Sequence, residues 1–301
     1  MDSIAALIRP ALRRYASCRI RPGRSKIKAL VRLFEKGPKL YEVFPGVRIQ
    51  LDLSIFDQEK IFYFPEEIEA GLQWSILKAL PSRGTFVDVG ANAGFFSFFS
   101  AYHRQARVFL FEPFPALVSS LTASILDYSE KGNRGELRLF PFAIAEENRQ
   151  TRMTTASPSG ATYHLTEEQD GTIRVDVRRL DFLFAEGHVR EIDFLKIDAE
   201  GFDLQVLKGL GEFLTPGSIK AVHIEANEQQ SEVSKLMSRL GYHGYETINR
   251  EFYRIKLQEK ARIPFIRKMS PSGAPNMLFI PLKSELYFEF EELVNREAGN
   301  V

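Results

Sequence analysis

Three places in this 301-residue chain combine residue types and spacings that could do chemistry. The first is Val87-Asp88-Val89-Gly90-Ala91-Asn92-Ala93-Gly94, which sets an acid, an asparagine and two glycines after the apolar Thr85-Phe86-Val87. A second apolar run, Phe95-Phe96-Ser97-Phe98-Phe99, follows directly and reads as helical. A buried parallel strand that ends in a small-residue turn at a helix N-terminus admits a nucleotide-like ligand, and glycine lets that ligand approach the backbone. The spacing is not G-x-G-x-x-G, and no Gly-Lys-Ser/Thr follows to meet a phosphate chain. An acid at the strand end, Asp88, would repel a pyrophosphate and suits a cationic ligand.

The second place is Phe111-Glu112-Pro113. It puts an acid at the tip of the next strand, 24 positions after Asp88, where a carboxylate can accept hydrogen bonds from ribose hydroxyls. Pro113 stiffens the turn. A solvent-exposed loop acid is the alternative, and the pairing with the glycine turn favours ribose. The third place is Leu195-Lys196-Ile197-Asp198-Ala199-Glu200-Gly201. Strand alternation puts Lys196 and Asp198 on one face, and a lysine in an apolar strand needs an acidic partner. Lys196 with Asp198, Glu200 or Glu225 could be a structural ion pair; equally, one of the acids could be catalytic. Downstream, His223-Ile224-Glu225-Ala226-Asn227 ends a further strand. His223 is either a satisfied core histidine or half of a general-base pair with Glu225. Asp198, Glu225 and Asn227 could also ligate a hard cation, although nothing in the sequence demands a metal.

Positioning these residues requires strands and helices in alternation. Strands are expected at 85–89, 107–111, 137–143, 194–198 and 219–225, with helices at 95–102, 116–128, 202–210 and 229–240. Residues 151–155 and 172–178 alternate polar and apolar as an antiparallel excursion. Its loop, Ser157-Pro158-Ser159-Gly160, is a candidate substrate lid or a plain surface loop. Upstream, Pro45-Gly46 separates two strand-like runs, 41–44 and 47–53, and the apolar spacing of 66–80 predicts one helix closed by Pro81. Runs at 242–248, 253–256 and 277–280 resemble a terminal hairpin region, and a charged helix is expected near 284–296. Phe114 and Phe202 stand near strand tips, where an aromatic ring could stack on an acceptor.

Composition is that of a globular protein: 44% hydrophobic and 26% charged, enough for a sizeable core. The net charge of +1 argues against wholesale nucleic-acid binding. The lone cysteine, Cys18, excludes an internal disulfide framework and a cysteine-rich metal site. No apolar run approaches the roughly 20 residues that cross a bilayer, and no secretory signal is visible. Residues 1–40 carry eleven Lys/Arg against Asp2 and Glu35, about +9, leaving about −8 elsewhere. Ile4, Leu7, Ile8, Leu12 and Tyr15 lie at helical spacing among arginines. That segment could pack on its own domain, contact an anionic membrane surface or a partner, or act as a targeting peptide.

Taken in order, VDVGANAGFFS, VFLFEP, the alanine of PFAIA, FLKIDAEGFDLQVLKGL and HIEAN resemble the FkbM-type family of S-adenosylmethionine-dependent methyltransferases. The likeness covers roughly residues 57–282, and KIDAEG following the DVGANAG turn is its most specific part. It implies an α/β, Rossmann-like class I methyltransferase fold, a seven-stranded, mostly parallel sheet with helices on both faces. The expected division is a basic N-terminal extension (1–60, helices and a small hairpin), a methyltransferase domain (61–282) and a C-terminal helix (283–301). On the same likeness Asp88, Gly90, Ala91, Asn92 and Gly94 surround the methionine portion of S-adenosylmethionine. Glu112, with Pro113, takes the ribose; Phe142 and Ala143 lie on the adenine side; Asp198 and Glu200 lie near the methyl group. The implied activity is O-methylation of a sugar, glycolipid or polyketide-like hydroxyl. The expected catalytic residues are Asp198 or Glu200 as base, His223 as a third candidate, and Lys196 orienting an acid. The alternatives are a metal-assisted O-methyltransferase using Asp198, Glu225 and Asn227, or a cofactor-binding module docked by its basic arm. The expected setting is cytoplasmic, with peripheral membrane contact through the N-terminus left open.

Overall fold

A computed structural model describes residues 35–155, 163–166, 173–226, 229–248, 266–270 and 272–298. The amphipathic segment at 4–15, the helical stretch at 27–34, the 157–160 loop, Asn227 and the 253–256 run lie outside the described residues.

Pro45-Gly46 turns the first hairpin, with Gly46 at φ 75°, a left-handed value that glycine adopts without strain. Its strands are β1 (Lys39–Phe44) and β2 (Val47–Leu51). Helix α1 (Phe56–Tyr63), a 3₁₀ turn (Pro65–Glu67) and helix α2 (Ala70–Ala79) come next. The expected single helix over 66–80 is therefore broken. Ile68 is extended and Glu69 is left-handed at φ 37°, and the Gln73 side-chain amide donates to the carbonyls of Pro65 and Ile68 across the break.

The alternation then sets in: β3 (Thr85–Val89), α3 (Phe95–Arg104), β4 (Arg107–Phe111), α4 (Pro115–Glu130) and β5 (Glu136–Phe140). Pro115 opens α4 at a position whose N–H would be unbonded in any case. The strand expected over 137–143 ends at Phe140, because Pro141 has no N–H for the ladder. Beyond it a small separate sheet forms from β6 (Ala143–Ile144), β7 (Arg149–Thr155), β8 (Tyr163–Thr166) and β9 (Ile173–Arg178), in the order β6-β9-β7-β8. The chain returns through α5 (Phe182–Ala185), β10 (Phe194–Ile197), α6 (Asp203–Lys208), β11 (Val222–Glu225) and α7 (Gln230–Arg239). It closes with β12 (Tyr242–Thr247), β13 (Ile266–Lys268), β14 (Asn276–Pro281) and α8 (Glu285–Ala298).

The main sheet runs β13-β12-β14-β11-β10-β3-β4-β5. Strands β11, β10, β3, β4 and β5 are mutually parallel, whereas β14, β12 and β13 pair antiparallel at the other edge. This is the Rossmann-like α/β architecture, with the three-residue β13 as an eighth strand beyond the seven anticipated. The chain leaves β3 outward through β4 and β5 and comes back to lay β10 on the other side of β3. The topological switch point, where open α/β sheets bind ligands, therefore lies between the carboxyl ends of β3 and β10.

The two faces of the sheet have separate cores. Phe86, Val108, Leu110 and Phe194 pack beneath α3, α2 and the hairpin. Val87, Val89, Phe109, Phe111, Leu195 and Ile197 pack on the opposite side with Leu180, Leu183 and Val206. The hairpin joins the first core through Phe44, which stacks on Tyr102 with ring centroids 5.4 Å apart. Arg48 also forms an ion pair with Asp127 of α4, and this pair holds the Asp127 carboxyl below its ordinary pKa. Helix α8 packs on α2 through Phe290 and Trp74, 5.6 Å between ring centroids. No helix among the described residues is long and apolar enough to cross a membrane.

Candidate active site

The glycine turn is held from both sides. Gly90 and Ala91 donate their N–H groups to the Phe111 carbonyl at 3.1 and 3.0 Å, and Asp198 donates its N–H to the Val89 carbonyl at 3.1 Å. Gly90 has φ 75°, and a Cβ there would stand 1.9 Å from the Asp198 carbonyl oxygen. Only glycine lets β3 and β10 close to this separation. Gly94 caps α3 at φ 82°, and a Cβ there would meet Leu121 at 2.6 Å.

Glu112 is 5% exposed and clasps the turn to β4. One carboxyl oxygen accepts the Asn92 N–H and the other the Phe114 N–H, both at 2.9 Å. Burial pushes its pKa up to about 7, although the two backbone donors favour the charged form. Each oxygen keeps a free lone-pair direction, since a carboxylate oxygen can accept more than one hydrogen bond.

These residues form one wall of a cavity at the switch point. Gly90, Asn92, Glu112 and Pro113 supply its polar side, and Val89, Phe111, Leu117, Phe142, Ala143, Ile144 and Met153 its apolar side. Asp198, Ala199, Glu200 and Phe202 form the facing wall. Phe142 sits between Phe111, 5.7 Å away by ring centroid, and the guanidinium of Arg178, 4.7 Å from its ring. Met153 and Ile144 come from the small second sheet, so the antiparallel excursion contributes to the cavity through its strands. The expected lid residues, Ser157-Pro158-Ser159-Gly160, are outside the described region.

On the other face, register aligns Asp88, Lys196 and His223 in one row across β3, β10 and β11. Lys196 is 4% exposed. Its ammonium donates to the Gly90 carbonyl at 3.1 Å and lies 3.3 Å from Asp198 Oδ2 and 3.4 Å from Asp88 Oδ1. Burial opposes its charge, but Asp198, Asp88 and Glu69 outweigh that and hold it protonated above the ordinary lysine range. Asp88 is 1% exposed; Ser97 donates to its Oδ2 at 2.7 Å, and its Oδ1 has no hydrogen bond. The ion pair anticipated for Lys196 thus involves two acids, one of them Asp88 from the cofactor-like turn.

His223 belongs to the row but not to the cavity. It is 1% exposed, its Nε2 lies 2.9 Å from Thr247 Oγ1, and burial followed by the Lys196 charge lowers its pKa to about 3. A ring kept neutral and enclosed in this way is a core histidine.

At the strand ends the row opens into carboxylates. Glu225 has its pKa raised to about 7 by burial and by Asp198. Glu200 is exposed as a residue and left-handed at φ 46°; partial burial of its carboxyl group, then Asp198 and Glu225, raise its pKa to about 7. Among the described residues no group of three His, Cys, Asp or Glu side chains is placed to hold a metal ion. Asn227, the remaining member of the alternative cation set, is outside the described residues.

The Methyltransferase FkbM domain matches residues 88–247 of the chain. Methyltransferase sdnD of Sordaria araneosa is 28% identical over 162 residues, 44% of this chain and 62% of sdnD. Hexuronic acid methyltransferase AglP of Haloferax volcanii is 28% identical over 160 residues, 50% of this chain and 60% of AglP. The 2-O-methyltransferase NoeI of Sinorhizobium fredii is 26% identical over 162 residues, 48% of this chain and 63% of NoeI. The chain therefore spans a little under two thirds of the length of each of these relatives.

Proposed function

The chain belongs to the family defined by the FkbM methyltransferase domain, and from that premise we propose that it transfers a methyl group from S-adenosylmethionine to a hydroxyl oxygen of a sugar, glycolipid or polyketide-like metabolite. The observation that carries the proposal is the switch-point cavity, bounded by the Glu112 clasp on one side and by Asp198 and Glu200 on the other. The donor set fits the cofactor. Glu112 offers free lone pairs to a ribose diol, Phe142, Ile144 and Met153 offer an apolar slot to a purine, and Gly90 and Asn92 line the polar end. AglP and NoeI, named for acting on a hexuronic acid and for 2-O-methylation, support an oxygen-bearing small-molecule acceptor.

When bound, the cofactor supplies an activated methyl group on a sulfonium. The protein's work is then alignment and proton handling. A hydroxyl is a poor nucleophile while protonated, so a base must take its proton as the oxygen–carbon bond forms. Lys196 pairs with Asp198 at 3.3 Å, which suits an orienting role. Glu200 has no cation within ion-pairing distance in the described structure, and its raised pKa near 7 matches a base that works at neutral pH. Glu200 is therefore assigned as the proton acceptor and Asp198 as its orienting neighbour.

The test is Glu200→Gln in the full chain with labelled S-adenosylmethionine and fractionated metabolites as acceptors. Turnover is expected to fall about 10²- to 10⁴-fold, with binding of S-adenosylhomocysteine retained. Undiminished turnover would reject Glu200 as base, and absence of S-adenosylhomocysteine binding to the wild type would reject the methyltransferase reading itself.

A further inference from the structure

Glu200 reaches the cavity wall on a turn that glutamate does not favour. Phe202 donates its N–H to the Ala199 carbonyl at 3.1 Å, which closes a four-residue turn over 199–202. Its two central residues, Glu200 and Gly201, have φ 46° and 92°. Positive φ at both central positions is the type I′ arrangement, in which Gly, Asn and Asp predominate. Gly201 suits it, whereas Glu200 does not, because a Cβ is crowded in left-handed backbone. Such a conformation persists only where the surroundings hold it.

Asp203 supplies the hold. It opens α6 and is 1% exposed. Its Oδ1 accepts the Ala199 N–H at 2.9 Å, so the carboxylate reaches back across the turn to the residue before Glu200. Main-chain bonds pin the same segment at both ends. Asp198 donates its N–H to the Val89 carbonyl at 3.1 Å, and Val206 donates to the Phe202 carbonyl at 2.9 Å. From the start of α7, Gln229 Oε1 accepts the Leu204 N–H at 3.2 Å. Ala199, Glu200 and Phe202 line the cavity and Asp203 does not, so it braces the wall without forming part of it. Among the described residues no cation pairs with this carboxylate. A buried acid without a cation is a poor source of stability; what it supplies here is a fixed direction for one backbone N–H.

We propose that Asp203 is a positioning residue for methyl transfer: by holding the 199–202 turn, it sets where the Glu200 carboxylate stands relative to the acceptor hydroxyl. The inference rests on the methyl-transfer reading with Glu200 as base, and adds to it a residue that touches neither cofactor nor acceptor. The reaction is sensitive to such a brace, because a misplacement of about 1 Å can cost roughly 100-fold in rate. Without the Asp203 acceptor the Ala199 N–H is released, and Glu200 is free to leave its left-handed conformation. The residues proposed to hold the purine and ribose, Phe142, Ile144, Met153 and Glu112, stand on the opposite wall and keep their places.

Asp203→Leu keeps the branched shape of the side chain and removes the acceptor, whereas Asp203→Asn keeps an oxygen for the Ala199 N–H. Assays on the full chain use labelled S-adenosylmethionine and a dilution series of the most active metabolite fraction. Asp203→Leu is expected to lower kcat by roughly 10- to 100-fold, with KM for S-adenosylmethionine and affinity for S-adenosylhomocysteine within about threefold of wild type. Asp203→Asn should recover most of the rate. In a Glu200→Gln background Asp203→Leu should cost less than about threefold more, since a brace has nothing to place once the base is gone. Amide hydrogen exchange needs no acceptor, and should quicken roughly tenfold at Ala199 and Phe202 in Asp203→Leu but not in Asp203→Asn. Undiminished turnover in Asp203→Leu overturns the proposal. So does an equal loss in the wild-type and Glu200→Gln backgrounds, or a parallel loss of S-adenosylhomocysteine affinity, because the acid would then serve the fold at large. Where Asp203→Leu does not fold, Asp203→Ala is read against the same outcomes. Undiminished turnover in Glu200→Gln rejects the base assignment on which the proposal stands, and failure of the wild type to bind S-adenosylhomocysteine rejects the methyl-transfer reading itself.

Discussion

Replacing Lys196 with methionine tests whether the polar row is held together by its one ammonium. Methionine fills nearly the same volume and can lie along the same path, so the substitution removes charge and hydrogen bonding with little change in packing. The structure shows what is lost: the bond to the Gly90 carbonyl at 3.1 Å and the approaches to Asp198 and Asp88 at 3.3 and 3.4 Å. Asp88 would then be a buried carboxylate with Ser97 as its remaining hydrogen-bond donor. Removing one partner of a buried pair costs about 3–5 kcal/mol, because the other charge stays desolvated. With a urea m-value of about 3 kcal/mol/M, the unfolding midpoint should fall by roughly 1–1.7 M at pH 7. The pH dependence has a definite sign. In the wild type the folded pKa of Lys196 lies above its unfolded value, so its contribution is full below about pH 10 and is lost only as pH rises through the raised value. The wild-type interaction is therefore constant between pH 5 and 8. A deficit below about 1 kcal/mol would refute the view that Lys196 neutralises buried carboxylates.

Gly90→Ala adds a methyl 1.9 Å from the Asp198 carbonyl oxygen at a left-handed backbone position. The conformational cost alone is about 1–2 kcal/mol, and the clash adds to it, so urea unfolding should show a larger loss than that, with cofactor-product affinity down more than tenfold. Glu112→Gln keeps one carbonyl acceptor for the Asn92 and Phe114 N–H groups but removes the charge. Calorimetry with S-adenosylhomocysteine should show affinity lower by roughly 10- to 100-fold. Because the folded pKa of Glu112 is raised, its charged form weakens the fold as pH rises towards 7, and the substitution should flatten that decline in stability.

How much of this could be read from the chain alone depended on how far apart the determining residues lie. The strands at 85–89 and 107–111 were legible because five-residue apolar runs ending in Gly90 or Pro113 carry their own boundaries. Glu112 was legible for the same reason, since its position at a strand tip is a local property. Pro141 was visible too, but a strand prediction that averages over 137–143 passes through a residue that must end the ladder. The 66–80 helix failed differently. Its apolar spacing is helical throughout, and the break at Ile68 and Glu69 is held by Gln73 donating backwards, which no periodicity reports. Alternation put His223 on the face of Glu225 correctly. It could not reveal that Thr247, on a strand that joins the sheet from the far edge, meets the imidazole and leaves it inside the core.

The alternation of side chains along β3 and β10 also bears on what the site can distinguish. Val89 points to the face where Phe111, Phe142 and Ile144 line the cavity, whereas Asp88 and Lys196 belong to the opposite, charged face, and Asp198, just past the end of β10, touches both. Gly90 stands where the two meet: its carbonyl accepts from Lys196, and its missing Cβ is the space occupied by the Asp198 carbonyl. The purine and ribose contacts proposed here draw on the apolar face and on Glu112, so they should be the same for the methylated cofactor and its demethylated product. The charged face can act on the sulfonium but not on the thioether. A substitution in the row at Lys196 should then move the two affinities apart, whereas Glu112→Gln should lower both together. A Glu112 variant that weakens only the sulfonium form, or a Lys196 variant that weakens both forms equally, would mean that the two faces do not divide the cofactor in this way.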